Sequence, residues 1–143
     1  MVILKALNQR LVGRNDAQAT CLALRIAADG DATLANAGHM APYLNGEPIA
    51  MEGALPLGMM ESAEFSLMHF QLKPDDKLVL MSDGIAEATD AEGHLFGFER
   101  VHELLHTATT AAEVANAAQA FGQEDDISVI SVTRTPVHEP ALA

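Results

Sequence analysis

Ile3, Leu4, Leu7, Leu11 and Val12 recur at spacings of three and four through the stretch from Val2 to Arg14. That period predicts an amphipathic helix, with Gly13 and the pair Asn15-Asp16 placed to end it. The pattern then shortens. An apolar run from Ala19 to Ile26 meets the turn residues Asp29-Gly30-Asp31, and a second run from Ala32 to Ala37 follows at once, which predicts a β-hairpin. Pro42 to Pro48 reads as a short strand and turn, and Ala50 to Glu61, carrying Gly53, Pro56 and Gly58, reads as loop. Phe65, Leu67, His69 and Gln71 alternate with Ser66, Met68, Phe70 and Leu72, as in a strand buried on at least one face. Lys73 to Asp76 makes the next turn, and Lys77 to Ser82 is an apolar strand that runs into Asp83-Gly84. Phe96 to His106, with Val101, Leu104 and Leu105 as its stripe, and the alanine-rich Ala111 to Ala120 both read as helices. The last strand runs from Ile127 to Thr133, and its alternation predicts burial of Ile127, Val129 and Ser131.

The length of 143 residues suits one domain, assigned to residues 1–135, with a frayed tail over 136–143. Eight basic residues against twenty acidic ones leave a formal charge of −12, which repels nucleic acid and anionic lipid, so neither is expected as a partner. No apolar run approaches the roughly 20 residues of a spanning helix, so no membrane insertion is expected. The N-terminal stretch lacks the basic head, apolar core and cleavage site of a secretory signal. One cysteine, Cys21, excludes an internal disulfide and suits a reducing cytoplasm.

Candidate chemistry gathers where acids flank apolar strands. Asp83-Gly84 closes the strand from Leu78, and Asp125-Asp126 precedes the final one. Carboxylates fixed on neighbouring strand ends can converge on a hard cation such as Mg²⁺ or Mn²⁺. Taken singly, each is far more readily an ordinary turn acid capping a strand or helix. The string His102-Glu103-Leu104-Leu105-His106 matches the His-Glu-x-x-His pattern of zinc peptidases, but nothing downstream offers an evident third ligand.

The order of the motifs is more specific than any one of them. Asn36-Ala-Gly-His39, Leu55-Pro-Leu-Gly58, Lys73-Pro-Asp-Asp76 with the strand into Ser82-Asp83-Gly84, Phe96-Gly-Phe-Glu-Arg100 and Asp125-Asp126-Ile-Ser128 follow one another over residues 19–134. Together they resemble the PPM-type serine/threonine protein phosphatases of the stage II sporulation E and RsbU kind. The resemblance implies an α+β fold, part of an αββα sandwich of two packed antiparallel sheets flanked by helices, with N-terminal strands missing.

It also implies Asp83 and Asp125 as metal ligands, with Gly84, Asp126, Glu87 and His39 as further metal-binding or supporting positions. In the complete domain two Mn²⁺ or Mg²⁺ ions would serve hydrolysis of a phosphorylated protein, typically an anti-sigma factor antagonist. Ser128 stands where the family has threonine, and Asp75 where it has glycine. Asp75-Asp76 reads as a strand-entry turn, and His39 equally as a turn residue supported by Asn36. Glu87 reads more readily as a solvated acid, and Arg100 as a structural partner of Glu87 or of the Asp90–Glu92 turn. The family's upstream Gly-Gly-Asp, whose aspartate bridges both metals, does not occur in these residues. Little or no activity is therefore expected of this chain alone, and uncovered strands are expected to drive self-association. A non-catalytic regulatory or dimerisation module is the alternative.

Overall fold

Strands apolar on both faces, as β2 and β6 are, need cover on both, and the chain supplies it with two antiparallel sheets and three helices. The computed structural model describes residues 2–14, 17–108, 110–122 and 126–136. The helices are α1 (Val2–Leu11), α2 (Gly97–Thr107) and α3 (Ala111–Phe121). The strands are β1 (Cys21–Ile26), β2 (Asp31–Ala37), β3 (Tyr43–Leu44), β4 (Glu47–Pro48), β5 (Ser66–Gln71), β6 (Lys77–Met81) and β7 (Val129–Thr133). One sheet has the order β1-β2-β5 and the other β4-β3-β6-β7, and every pairing is antiparallel.

Side-chain alternation decides what each face meets. On β2, Ala35 and Ala37 point to a cluster with Leu4 of α1, Leu57 and Phe65. Residues Ala32 and Leu34 fall on the opposite face by the period of two, and both are buried. On β6, Val79 and Met81 join Ile85, Phe96, Val101, Leu105, Val114 and Ala118 in the larger cluster beneath α2 and α3. Leu78, fully buried, lies on the other face of β6. Each sheet thus has helices on one side, which leaves Leu34 and Leu78 for the faces the sheets turn inward.

Local chemistry sets the element ends. The Asn45-Gly46 turn between β3 and β4 has positive φ at both residues, the requirement of a tight two-residue hairpin. Helix α3 starts in a capping box: Thr110 Oγ1 accepts from the Glu113 amide at 3.2 Å, and Glu113 Oε2 accepts from the Thr110 amide at 2.9 Å. The Lys77 ammonium donates to the Ala108 carbonyl just past α2, tying that helix to the sheet.

Two expectations change. The stripe on α1 buries Leu4, while Ile3 and Leu7 remain exposed and line a cavity of about 640 Å³ with Leu22 and Leu24 of β1. In β7 Ser131 is exposed and Val132 is half-buried, so the inward set is Ile127, Val129 and Val132. A strict alternation does not survive at that end of the strand. The helix stop at Asn15-Asp16 and most of the expected tail, 137–143, lie outside the described residues.

Candidate metal centre

Strand β6 is apolar because the helices cover it, and it must turn where that cover ends. Its last ladder pair is Met81 with Val129. Ser82 extends the pairing, its amide donating to the Ser128 carbonyl at 2.9 Å while its Oγ accepts from the Ser128 amide at 3.0 Å. The serine at the family's threonine position therefore has its backbone held against the residue before Asp83. This clamp brings the exit of β6 and the entry of β7 together, so Asp83 and Asp126 stand at the same end of the sheet. Both are exposed.

Asp83 opens a 3-10 turn, Asp83–Ile85. Its Oδ1 accepts the Gly84 amide at 3.1 Å and its carbonyl accepts the Glu87 amide at 3.0 Å. Ile85, Ala86 and Ala88 are buried and anchor the turn, which leaves the Asp83 carboxylate facing solvent. Gly84 lies within that turn. Glu87 is exposed and its carbonyl accepts from Thr89, in keeping with a solvated acid.

His39 comes to this end from the other sheet. Buried Asn36, the next-to-last residue of β2, accepts the His39 amide at 2.8 Å and donates to its carbonyl at 2.8 Å. The ring Nδ1 lies 3.2 Å from Thr20 Oγ1. Burial holds the imidazole below its ordinary pKa, and the nearby Asp83 carboxylate partly opposes that shift. The supporting role expected of Asn36 is present, and so is the proximity to Asp83. Gly38 has a φ of 68°, and a Cβ there would meet Pro56 N at 2.6 Å, so the Asn-Ala-Gly-His turn packs against the Pro-Leu-Gly loop.

Other singled-out residues fall elsewhere. Asp125 lies outside the described residues. Asp76 accepts from the Asn45 side chain at 2.8 Å and from the Lys73 amide at 2.7 Å, the strand-entry role expected of it. Arg100 is structural but with different partners: it donates to the carbonyls of Leu95 and Phe96 and lies over the Phe121 ring, 5.1 Å from its centroid. Asp90, Glu92 and His94 form an acidic group, yet Asp90 already accepts two amides of its own turn and the His94 ring.

Two residues carry more than their sequence context announced. Asn8 is buried on α1, and Glu47 meets His102 and His106. Asn8 gave the pattern no signal beyond a polar residue on a helix. The third partner of the histidine pair lies upstream of it, where no spacing rule points.

The sequence profile of the stage II sporulation protein E (SpoIIE) family matches residues 2–135. The chain belongs to that family. A comparison with curated proteins found no match. Among solved structures, it resembles the Mn-presoaked phosphatase domain of SpoIIE from Bacillus subtilis, at 21% identity and a TM-score of 0.64, over 96% of this chain and 66% of that one. It also resembles PppA, a regulatory component of the T6SS in Pseudomonas aeruginosa, at 19% identity and a TM-score of 0.69, over 91% of this chain and 66% of that one. A third likeness is to the RsbU and RsbW domains of a Mycobacterium tuberculosis protein, at 18% identity and a TM-score of 0.70, over 94% of this chain and 42% of that one. The fold is thus that of the PP2C phosphatase domains, and the chain spans about two thirds or less of these neighbours' lengths.

Among the described residues, Asp83 and Asp126 present oxygen donors at one strand-end surface. That donor set fits a hard cation such as Mg²⁺ or Mn²⁺ in type, though two carboxylates alone fall short of a two-ion site.

Proposed function

We propose that residues 1–135 form the C-terminal portion of a metal-dependent phosphoserine/phosphothreonine protein phosphatase domain, acting on an anti-sigma factor antagonist in a bacterial regulatory switch in the cytoplasm. The observation that supports this most is the Ser82–Ser128 pairing, which puts Asp83 and Asp126 at the same end of one sheet, with Asp83 near enough to His39 to act on its charge. Membership of the SpoIIE family and likeness to a chain with RsbU and RsbW domains support the regulatory setting. The Mn-presoaked neighbour favours manganese or magnesium.

Asp83 and Asp125 would hold the cation, with Asp126 and Glu87 in supporting positions around Gly84. Bound there, Mg²⁺ or Mn²⁺ would neutralise charge on the phosphoryl oxygens and acidify the attacking water. His39 stays neutral more readily than a solvated histidine. Asn36 fixes the backbone that places it.

No Gly-Gly-Asp occurs among the 143 residues, so the bridging carboxylate of the family has no counterpart in this chain. Hydrolysis of a phosphoserine peptide with Mn²⁺ should accordingly stay near background for this chain. A longer chain that adds an upstream Gly-Gly-Asp segment should be active, and Asp83→Asn in it should abolish turnover. Turnover by the 143-residue chain at the rate of the longer one would defeat the fragment reading. An inactive longer chain would favour the second reading, a non-catalytic regulatory or dimerisation module.

A further inference from the structure

His102 and His106 lie four residues apart on α2 and so share one helix face. Their rings stand edge to face, 89° apart with centroids separated by 4.6 Å, and both Nε2 atoms turn to a common point 3.3 Å from one another. Glu47, the first residue of β4, closes the triangle from the other side. Its Oε2 lies 3.3 Å from His102 Nε2 and its Oε1 lies 3.4 Å from His106 Nε2. We propose that Glu47, His102 and His106 form a binding site for a borderline-soft divalent ion, Zn²⁺, separate from the strand-end carboxylates.

The spacing is the first argument. A tetrahedral ion bound at roughly 2.0–2.1 Å to nitrogen and oxygen ligands holds those ligands about 3.3–3.4 Å apart, the edge of the tetrahedron. The three separations have that length. A hydrogen-bonded group accounts for the same distances less well, because two imidazole nitrogens that both donate to one carboxylate bring their N–H groups together. An ion at the centre takes both nitrogens as lone-pair donors and offsets the carboxylate charge.

The backbone argument is independent of the spacing. Gly46 is buried with φ at 88°, and a Cβ there would meet Nδ1 and Cε1 of His106 at 2.8 and 2.9 Å. The hairpin turn thus packs closely against the ring, where a side chain at this position would displace it. Glu47 follows directly in chain, so one turn both orients one ligand and delivers another. Two imidazoles and a carboxylate select zinc over magnesium or calcium, which prefer oxygen alone. Water completes the tetrahedron, since the histidines are only partly covered, at 41% and 44% exposure. The ion would staple α2 to the β3–β4 hairpin, the free edge of the four-stranded sheet.

The test is a Zn²⁺ titration of the metal-stripped chain, by competition with a chromogenic chelator, together with a thermal melt. One Zn²⁺ should bind, raise the melting temperature, and lose at least tenfold in affinity in each of Glu47→Gln, His102→Ala and His106→Ala. Asp83→Asn should leave that affinity unchanged. Since these ligands are exposed or half-buried, circular dichroism should show the variants folded. On the unaltered chain, Co²⁺ should give the intense visible bands of four-coordinate geometry. Zinc affinity unmoved in His106→Ala, zinc binding that disappears with Asp83→Asn, or a pale six-coordinate Co²⁺ spectrum would each overturn the proposal.

Discussion

Asp76 ties its own turn to the β3–β4 turn with one carboxylate. Its Oδ1 accepts from Asn45 of the β3–β4 turn and its Oδ2 from the Lys73 amide, while Asn45 Oδ1 accepts the Lys77 amide at 2.9 Å. The Asn45 hydrogen bond, then that from Lys73, hold its pKa below the ordinary carboxylate value. A depressed folded-state pKa means the unfolded chain binds the proton first as acid is added. The stability it contributes is complete above the unfolded value and is lost as pH falls below about 4, through the folded one. Asp76→Asn should therefore lower the melting temperature at neutral pH and flatten its fall on acidification, as followed by circular dichroism from neutral pH to about 3. An unchanged acid limb would mean the carboxylate is not coupled to folding. The strand-entry role of this acid was legible in Lys73-Pro-Asp-Asp, because a turn before an apolar strand needs such acceptors. The partner Asn45 was not, since it lies 31 residues away.

Helix α1 was predicted from its apolar period, and its span agrees closely, yet a polar residue does much of the fastening. Asn8 donates to the Met60 carbonyl at 2.8 Å and accepts the Gly58 amide at 2.8 Å, which secures the loop from Ala50 to Glu61 on the helix. Removing that amide takes away both part-buried hydrogen bonds, at a cost of about 1–2 kcal/mol. Asn8→Ala should shift the urea midpoint accordingly with little change in slope; an unchanged midpoint would show water replacing the side chain. Helices and strands were readable because burial imposes a period on consecutive residues, as in Val101 and Leu105 on α2. Ile3 and Leu7 kept that period without being buried, since a period reports a face and not what covers it. The same limit explains Glu47. Its approach to His102 and His106 depends on how a hairpin meets a helix, and no local pattern encodes that.

At the scale of the molecule, the two sheets and their helices have the PP2C phosphatase fold, and β1 stands at an edge of its sheet. That free edge and the adjacent cavity with Ile3, Leu7, Leu22 and Leu24 are the features that favour pairing with a second copy. Light scattering should give a dimer mass that falls toward the monomer when Leu24→Lys is introduced; a monomer for the unaltered chain would contradict this. The order of the motifs along the chain carried the family, whereas Asp125 lies outside the described residues. What most directly tests the account is whether Asp83 holds a cation at all. The measurement is a Mn²⁺ titration followed by electron paramagnetic resonance, in a His106→Ala chain so that the second site does not contribute. The account predicts one weakly bound Mn²⁺ whose affinity falls at least tenfold in Asp83→Asn. Equal binding with and without the Asp83 carboxylate would contradict it.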